Sequence, residues 1–144
     1  MQIGRFFVRC VMFSATLLVA AKLAAAESPT QTPARYGSVI GLSAEKLAEY
    51  KQLHAAVWPE VAQALRAANI RNYSIYLRKL DDGNYYLFSY FEYVGQDFAG
   101  DMAKMAANPD VKRWWTLTDP CQKPLRDRKE GEWWSAMEEV FHQD

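Results

Sequence analysis

Residues 45–80, EKLAEYKQLHAAVWPEVAQALRAANIRNYSIYLRKL, decide the fold of this 144-residue chain. In the first part of the stretch, apolar and aromatic residues recur at steps of three and four. That spacing places side chains along one stripe of an α-helix, here running from Leu47 to Leu65. Tyr50 and His54 therefore lie one turn apart on the face that should be buried. A phenol and an imidazole in that position form either a satisfied core pair or the floor of a polar pocket.

The second part of the stretch changes from helix to strand. Pro59 is predicted to break the helix, because proline lacks an amide donor and disfavours helical geometry at the preceding Trp58. A second helical piece follows and is predicted to end at Asn69. Alternating side chains at 71–80 predict a strand, and Asp-Asp-Gly-Asn at 81–84 predicts a tight hairpin turn after it.

The flanking segments complete a β-α-β-β-α-β order. Residues 35–42 predict a first strand, after which Ser43 is predicted to cap a helix that opens at Ala44. Residues 85–94 are apolar on both faces, which predicts helices on one side and a second copy of the chain on the other. The remaining predicted elements are helices at 96–107 and 110–117, a polar loop at 118–132 and a fourth strand at 135–142. This order predicts an α+β, ferredoxin-like domain whose four-stranded antiparallel sheet has helices on one face and dimerises through the sheet.

Residues 1–26 are predicted to be a secretory signal. Arg5 and Arg9 precede an apolar run that is short for a bilayer span, and three alanines at 24–26 offer a cleavage site. A signal left uncleaved would be a marginal membrane anchor. The Ser/Thr/Pro-rich residues 27–34 predict a disordered lead-in, and 35–144 form the folded domain. The domain is therefore expected to be secreted or periplasmic, with no membrane association after cleavage.

Charge and cysteine content exclude some classes of protein. Removal of Arg5, Arg9 and Lys22 with the signal leaves 14 basic against 17 acidic residues among the remaining 118, a net charge of −3. A mildly acidic domain without a basic cluster is a poor nucleic-acid binder. Cys10 also leaves, so Cys121 has no intrachain disulfide partner. Stability must then come from packing and from oligomerisation.

His54 is the main candidate for chemistry. A core histidine with satisfied ring nitrogens is the alternative. Tyr50 lies one turn away, and Tyr73 begins the adjacent strand, so three polar groups should converge between helix and sheet. Apolar side chains would fill that space at lower cost than hydroxyl groups that need partners. The pattern therefore favours a functional site.

Trp114 and Trp115 are the second feature. Adjacent residues on a helix point about 100° apart, so one indole can anchor the core while the other faces a cleft. A flat indole beside hydrogen-bonding groups suits the apolar face of a sugar ring. The alternative is that both are core or dimer contacts, as aromatic pairs such as Tyr85-Tyr86 and Trp133-Trp134 often are.

The sequence predicts no metal or cofactor. His54 and His142 are the only histidines and lie far apart. Residues with metal-ligand spacing, a Gly-rich phosphate loop and a Gly-x-Ser-x-Gly elbow are all missing from the sequence.

Taken together, these residues resemble the L-rhamnose mutarotase family. The resemblance spans about 35–142 and rests on Tyr50-x-x-x-His54, on Trp58-Pro59-Glu60, on Asn72-Tyr73-x-Ile75-Tyr76, on Trp114-Trp115 and on the closing Glu138-Glu139-Val140-Phe141. The chain departs from that family in carrying a secretion signal and in longer loops at the hairpin and before the C-terminal strand.

The resemblance implies a homodimeric, cofactor-free epimerase acting at the anomeric carbon of a 6-deoxysugar monosaccharide, most simply L-rhamnose. His54 matches the family's proton donor. The positions that match its sugar contacts are Tyr50, Tyr73, Trp114 and Trp115. Two other readings stay open: a non-catalytic secreted sugar-binding or dimerisation module, and a dimeric α+β-barrel protein of the small-monooxygenase type.

Overall fold

The computed structural model describes residues 32–143. The predicted signal at 1–26 and most of the lead-in at 27–34 lie outside the described residues. The elements are β1 (Ala34–Leu42), α1 (Leu47–Ala55), α2 (Pro59–Ala67), β2 (Ile70–Lys79), β3 (Tyr85–Tyr93), α3 (Phe98–Ala107), α4 (Pro109–Thr118), β4 (Gln122–Lys123) and β5 (Ser135–Met137). None of the helices within 32–143 has the length and apolar character needed to cross a bilayer.

The strands form one antiparallel sheet in the order β2-β3-β1-β4, with β5 also pairing with β1. Ile40 of β1 lies opposite Leu87 of β3, and both are buried in a cluster with Tyr50 of α1. The central strands therefore carry the core on the face that the helices cover. The α+β, ferredoxin-like prediction is confirmed.

The edge of the sheet next to β1 differs from the prediction. A fourth strand over 135–142 was expected, but β5 has only three residues, and the two-residue β4 arises from the predicted polar loop. Both strands pair with β1, which makes the sheet five-stranded. The backbone pairing between β1 and β5 ends at Gly37 and Met137. Beyond that point a side-chain contact joins the two segments, in which Arg35 donates to both carboxylate oxygens of Glu139 at 2.8 and 3.0 Å.

Gly41 allows β4 to approach β1. A Cβ atom at this position would lie 2.8 Å from the backbone oxygen of Lys123, which is closer than two unbonded atoms of this kind can come. Glycine therefore sets the spacing between the two strands.

A helical segment begins at Ala44 with Ser43 at its N-cap position, as predicted, but its first turn differs from the prediction in type and capping. The Ser43 side chain makes no capping hydrogen bond, and Ala44–Lys46 form a short 3₁₀ turn before α1 begins at Leu47. The Ser43 backbone amide instead donates to the Cys121 carbonyl at 2.8 Å. This contact ties the turn to the segment before β4.

The predicted break at Pro59 is confirmed. α1 ends at Ala55, and Pro59 occupies the first position of α2, where its missing amide costs nothing. Asn69 ends the second helix in a left-handed conformation with φ of 59°. The break separates α1, which carries His54, from α2.

β2 contains a bulge that the sequence pattern did not predict. The register between β2 and β3 shifts between Arg71 and Ser74, and Asn72 has a φ of 49°. A bulge re-aims the side chains beside it. Tyr73 lies in this bulge, where its ring makes an edge contact with Phe91 of β3 at 5.8 Å between centroids.

Candidate functional site

A cleft of about 1050 Å³ lies between the helices and the sheet. Its walls come from α1, α2, α3 and α4 on one side, from β2 and β3 on the other, and from the segment around β4 and β5. The five site residues predicted from the sequence all line it: Tyr50, His54, Tyr73, Trp114 and Trp115. The fold therefore brings together residues that are spread over 66 positions of the sequence, from 50 to 115.

The His54 ring is held in one tautomer. Its Nδ1 lies 3.1 Å from the backbone oxygen of Tyr50. A carbonyl oxygen can only accept, so Nδ1 carries the hydrogen and Nε2 carries the lone pair. Within residues 32–143, Nε2 has no hydrogen-bond partner. A basic nitrogen is thus left available on the wall of the cleft.

Aromatic rings fix the orientation of this imidazole. The Tyr50 ring stacks on it at 4.1 Å between centroids, and Trp114 contacts it edge-on at 5.4 Å. Trp58, which the Pro59 break places behind Trp114, packs edge-on against that indole at 5.3 Å. Arg113 lies over the Trp58 ring at 4.7 Å, a cation–π contact that supports the stack from outside.

Burial sets the charge state of His54. The pKa of its imidazole is lowered from the ordinary value of 6.5, mainly because burial disfavours the charged ring, and the bond to the Tyr50 carbonyl opposes this effect only in part. A lowered pKa leaves the ring neutral at pH 7. Neutral imidazole has an unprotonated Nε2 that can accept a proton.

The two tyrosines are hydrogen-bond donors rather than bases. Burial raises the pKa of Tyr50, which is only 4% exposed, and the nearby Gln122 side chain opposes this shift in part. Burial also raises the pKa of Tyr73 to about 12. Tyr73 as a whole residue is 43% exposed, and its side chain lines the cleft between the helices and the sheet. Both phenols stay protonated at physiological pH.

The two tryptophans divide as the helical spacing predicts. Trp114 is 5% exposed and belongs to the ring stack behind His54, whereas Trp115 is 36% exposed. Both line the cleft. The pair therefore combines one packed indole with one that offers a free surface.

Several cleft residues were missed in the sequence analysis. Gln122 lies on β4, which is too short to show a period, and Asp119 lies in a turn after α4. Burial raises the pKa of the Asp119 carboxyl group. Trp133 was noted only as half of an aromatic pair, but it lines the cleft and its indole donates to Gln122 at 2.6 Å.

The site contains few groups suited to metal binding. In the described part of the chain, no three His, Cys, Asp or Glu side chains are grouped as metal ligands. The remaining wall is mostly apolar, with residues such as Val61, Leu65 and Met102. The arrangement offers one neutral base, two phenol donors and flat aromatic surface, which is chemistry for proton transfer on a small polar molecule with an apolar side.

Comparisons with known proteins agree with this description. The family model for L-rhamnose mutarotase matches residues 35–143. The L-rhamnose mutarotase of Bacillus subtilis is 36% identical over 93 residues, which is 65% of this chain and 84% of that protein. The relative from Lactiplantibacillus plantarum is 32% identical over 111 residues, covering 76% of this chain and 98% of the relative.

A solved structure shows the same similarity. The crystal structure of an L-rhamnose mutarotase from Formosa agariphila aligns with a TM-score of 0.57 at 26% identity, over 77% of this chain and 99% of that one. The family match, the sequence relatives and the fold all cover the domain that carries the cleft. The chain belongs to the L-rhamnose mutarotase family.

Proposed function

We propose that this protein is a mutarotase that interconverts the α and β anomers of a 6-deoxysugar, most simply L-rhamnose, by acid/base-catalysed ring opening and closure without a cofactor. The observation that carries this proposal is the fixed His54 imidazole, whose Nδ1 is bonded to the Tyr50 carbonyl and whose Nε2 is available to the cleft. Family membership supports the same activity.

The chemistry needs two proton transfers at neighbouring oxygens. Ring opening breaks the bond between C1 and the ring oxygen; the ring oxygen gains a proton, and the anomeric hydroxyl loses one as C1 becomes a carbonyl. Rotation about the C1–C2 bond then presents the other carbonyl face, and reclosure reverses both transfers. Both oxygens are attached to C1, so one nitrogen can serve them in turn. Nε2 of His54 accepts the proton of the anomeric hydroxyl, and the imidazolium then donates a proton to the ring oxygen.

The other side chains bind and orient the sugar. Tyr50 and Tyr73 remain protonated and donate to sugar oxygens, which fixes the anomeric carbon beside His54. Trp114 and Trp115 cover the apolar edge of the ring and the deoxy methyl group. Aldose anomers already interconvert in water, so positioning and one proton carrier are sufficient for a useful acceleration.

Saturation-transfer NMR of anomer exchange tests the proposal. The mature domain is added to L-rhamnose, L-fucose and other 6-deoxysugars, and binding is followed in the same samples. Faster exchange with at least one sugar supports the mutarotase and ranks its substrates. Binding without faster exchange would instead establish the non-catalytic sugar-binding module.

We also propose a homodimer formed through the outer face of the sheet. Tyr76 is 63% exposed there and lies beside Phe88 of β3, with Tyr86 and Tyr90 on the same face. Burial of such a face by a second copy removes aromatic surface from water. Analytical ultracentrifugation should give a dimer for the wild type and a monomer for Tyr76→Glu; a monomeric wild type would contradict the proposal.

Export is the third part of the proposed function and rests on the sequence alone. Residues 1–26 would direct the chain to the periplasm or the medium and be removed there. Mass spectrometry of the purified protein should give an N-terminus at Glu27. A full-length chain recovered from the cytoplasmic fraction would contradict this proposal.

A further inference from the structure

Trp133, Gln122 and Tyr50 form a chain of polar side chains along one side of the cleft. The indole Nε1–H of Trp133 donates to Oε1 of Gln122 at 2.6 Å. The Gln122 side chain also lies near the Tyr50 phenol, where it lowers the pKa of that phenol against the larger effect of burial. All three residues line the cleft, and the chain reaches the tyrosine that stacks on the catalytic imidazole.

The chain has a defined direction. An indole nitrogen can only donate, so the amide oxygen of Gln122 must face Trp133 and its NH₂ group must face Tyr50. An NH₂ group on that side is placed to donate to the phenol oxygen of Tyr50, in agreement with the lowering effect of Gln122 on the phenol's pKa. The single phenol hydrogen is then left to donate elsewhere, and burial keeps the phenol protonated. The cleft is the space in which an acceptor for this hydrogen would lie.

The backbone holds the two residues together. Gln122 lies opposite Leu42 of β1, and Ser135, two residues after Trp133, lies opposite Val39. The loop at 124–134 therefore leaves and rejoins the same edge of β1 within a few residues. This frame returns Trp133 to Gln122 even though 10 residues separate them in sequence.

We propose that Gln122 and Trp133 are positioning residues that fix Tyr50 as a hydrogen-bond donor to a sugar oxygen. This inference rests on the proposed function. The long loop before β5 is then part of the substrate-recognition machinery, because it supplies the indole that orients the amide. A sugar that lacks the hydroxyl contacted by Tyr50 cannot form the hydrogen bond that Trp133 and Gln122 position.

Two substitutions break the chain at different bonds. Trp133→Phe keeps an aromatic ring and removes the N–H group, so the Gln122 amide is free to turn over. Gln122→Glu still accepts from Trp133 but has no N–H group, so the Tyr50 hydroxyl turns toward the carboxylate. Gln63→Glu, on the exposed side of α2, is the matched control for the added charge. Circular dichroism verifies that each variant is folded.

The kinetic readout is a double-mutant comparison with Tyr50→Phe. Each chain variant should lower kcat/KM for anomer exchange by about three- to tenfold, the effect of one hydrogen bond. In the Tyr50→Phe background, the same substitutions should change kcat/KM by less than about twofold, because they act through the missing hydroxyl. Gln63→Glu should match the wild type. Equal losses in both backgrounds, or no loss in either, would overturn the inference.

A second readout does not depend on activity. In ¹⁵N-labelled protein, the Gln122 NH₂ signals are assigned by their loss in Gln122→Glu, and the Trp133 indole signal by its loss in Trp133→Phe. Tyr50→Phe should shift the NH₂ signals while the indole proton stays protected from exchange. Unmoved NH₂ signals alongside measurable catalysis would overturn this inference alone. A wild type that accelerates exchange of no 6-deoxysugar would overturn the proposed function and this inference with it.

Discussion

Two polar clusters of this domain contain similar types of residue but differ in whether their hydrogen bonds are complete. At the start of α3, the buried Asp101 carboxylate accepts from Asn69 at 2.8 Å, from the Tyr93 hydroxyl at 2.8 Å and from Lys104 at 3.2 Å. These bonds hold the pKa of Asp101 below its ordinary value, the Asn69 bond most of all. The cluster joins the end of α2, the end of β3 and α3.

The cleft cluster leaves polar atoms available. Nδ1 of His54 is satisfied by the Tyr50 carbonyl, but Nε2 has no partner within residues 32–143. Asp101, Asn69 and Tyr93 do not line the cleft, whereas His54 does. Both clusters contain buried polar groups; only one presents an unused basic atom to a cavity.

The two clusters show how a buried polar group that stabilises the fold differs from one that can take part in a reaction. A buried group whose bonds are complete stabilises the fold, since breaking any bond strands a partner. A buried titratable group that presents an unpartnered lone pair to a cavity is available for proton transfer. Substitutions in the two clusters should therefore affect different measurements.

The largest effect is expected for His54→Ala. It removes the proton carrier, so the enzymatic rate constant for anomer exchange should fall by about 100-fold or more. The melting temperature should change little compared with the rate. His142→Ala, which removes the other histidine of the chain, is the matched control and should exchange anomers at the wild-type rate. A His54→Ala enzyme with wild-type kcat would place the chemistry elsewhere.

Asp101→Ala should give the opposite result. It strands the donors of Asn69 and Tyr93, so the melting temperature at pH 7 should fall by about 5 °C. The rate constant measured well below that temperature should stay within about twofold of the wild type. Loss of activity in a folded Asp101→Ala protein would break the distinction between the clusters.

The pH dependence of unfolding is a second test of the role of Asp101. Because the pKa of Asp101 in the folded state is lowered below the ordinary 3.8, its contribution to stability is present above pH 3.8 and is lost as pH falls toward the folded-state pKa. The melting temperature of Asp101→Ala should therefore converge with that of the wild type in strong acid. A constant gap at every pH would contradict the role assigned to the carboxylate.

Tyr73→Phe and Tyr93→Phe apply one chemical change to both regions. Removal of the Tyr73 hydroxyl should raise KM for the sugar by about three- to tenfold, because a cleft donor is lost while the edge contact with Phe91 is kept. Removal of the Tyr93 hydroxyl should lower the melting temperature by a few degrees and leave KM unchanged, because its acceptor is Asp101. Steady-state kinetics and thermal melts of both variants check the pair, and equal KM values would show that Tyr73 does not bind sugar.

The sequence predicts the parts of this account that depend on local pattern. Tyr50 and His54 follow from helical spacing, the Pro59 break follows from a missing amide, and Trp114 and Trp115 follow from their neighbouring positions on α4. The convergence of these residues with Tyr73 follows from helix packing on a sheet, and the structure places them in one cleft.

Features that depend on long-range pairing were not predicted. β4 has two residues and therefore no period, so Gln122 was assigned to a loop. Its contact with Trp133 requires two strands to share the edge of β1. The Asp101 cluster joins residues 32 positions apart, and nothing in the local sequence distinguishes that aspartate from an exposed one. Such contacts are set by topology rather than by spacing.

The most direct test of the central claim is the pH dependence of anomer exchange, measured beside the NMR titration of the His54 ring. Other titratable groups of the cleft are Lys51, Asp119 and the two phenols. Since burial lowers the pKa of His54 below 6.5, the enzymatic rate, corrected for exchange in water, should be constant above pH 6.5 and fall as the ring gains a proton at lower pH. The kinetic midpoint should coincide with the His54 midpoint from NMR. A rate that stays constant through that midpoint, or rises as His54 becomes charged, would contradict the claim that neutral His54 carries the proton.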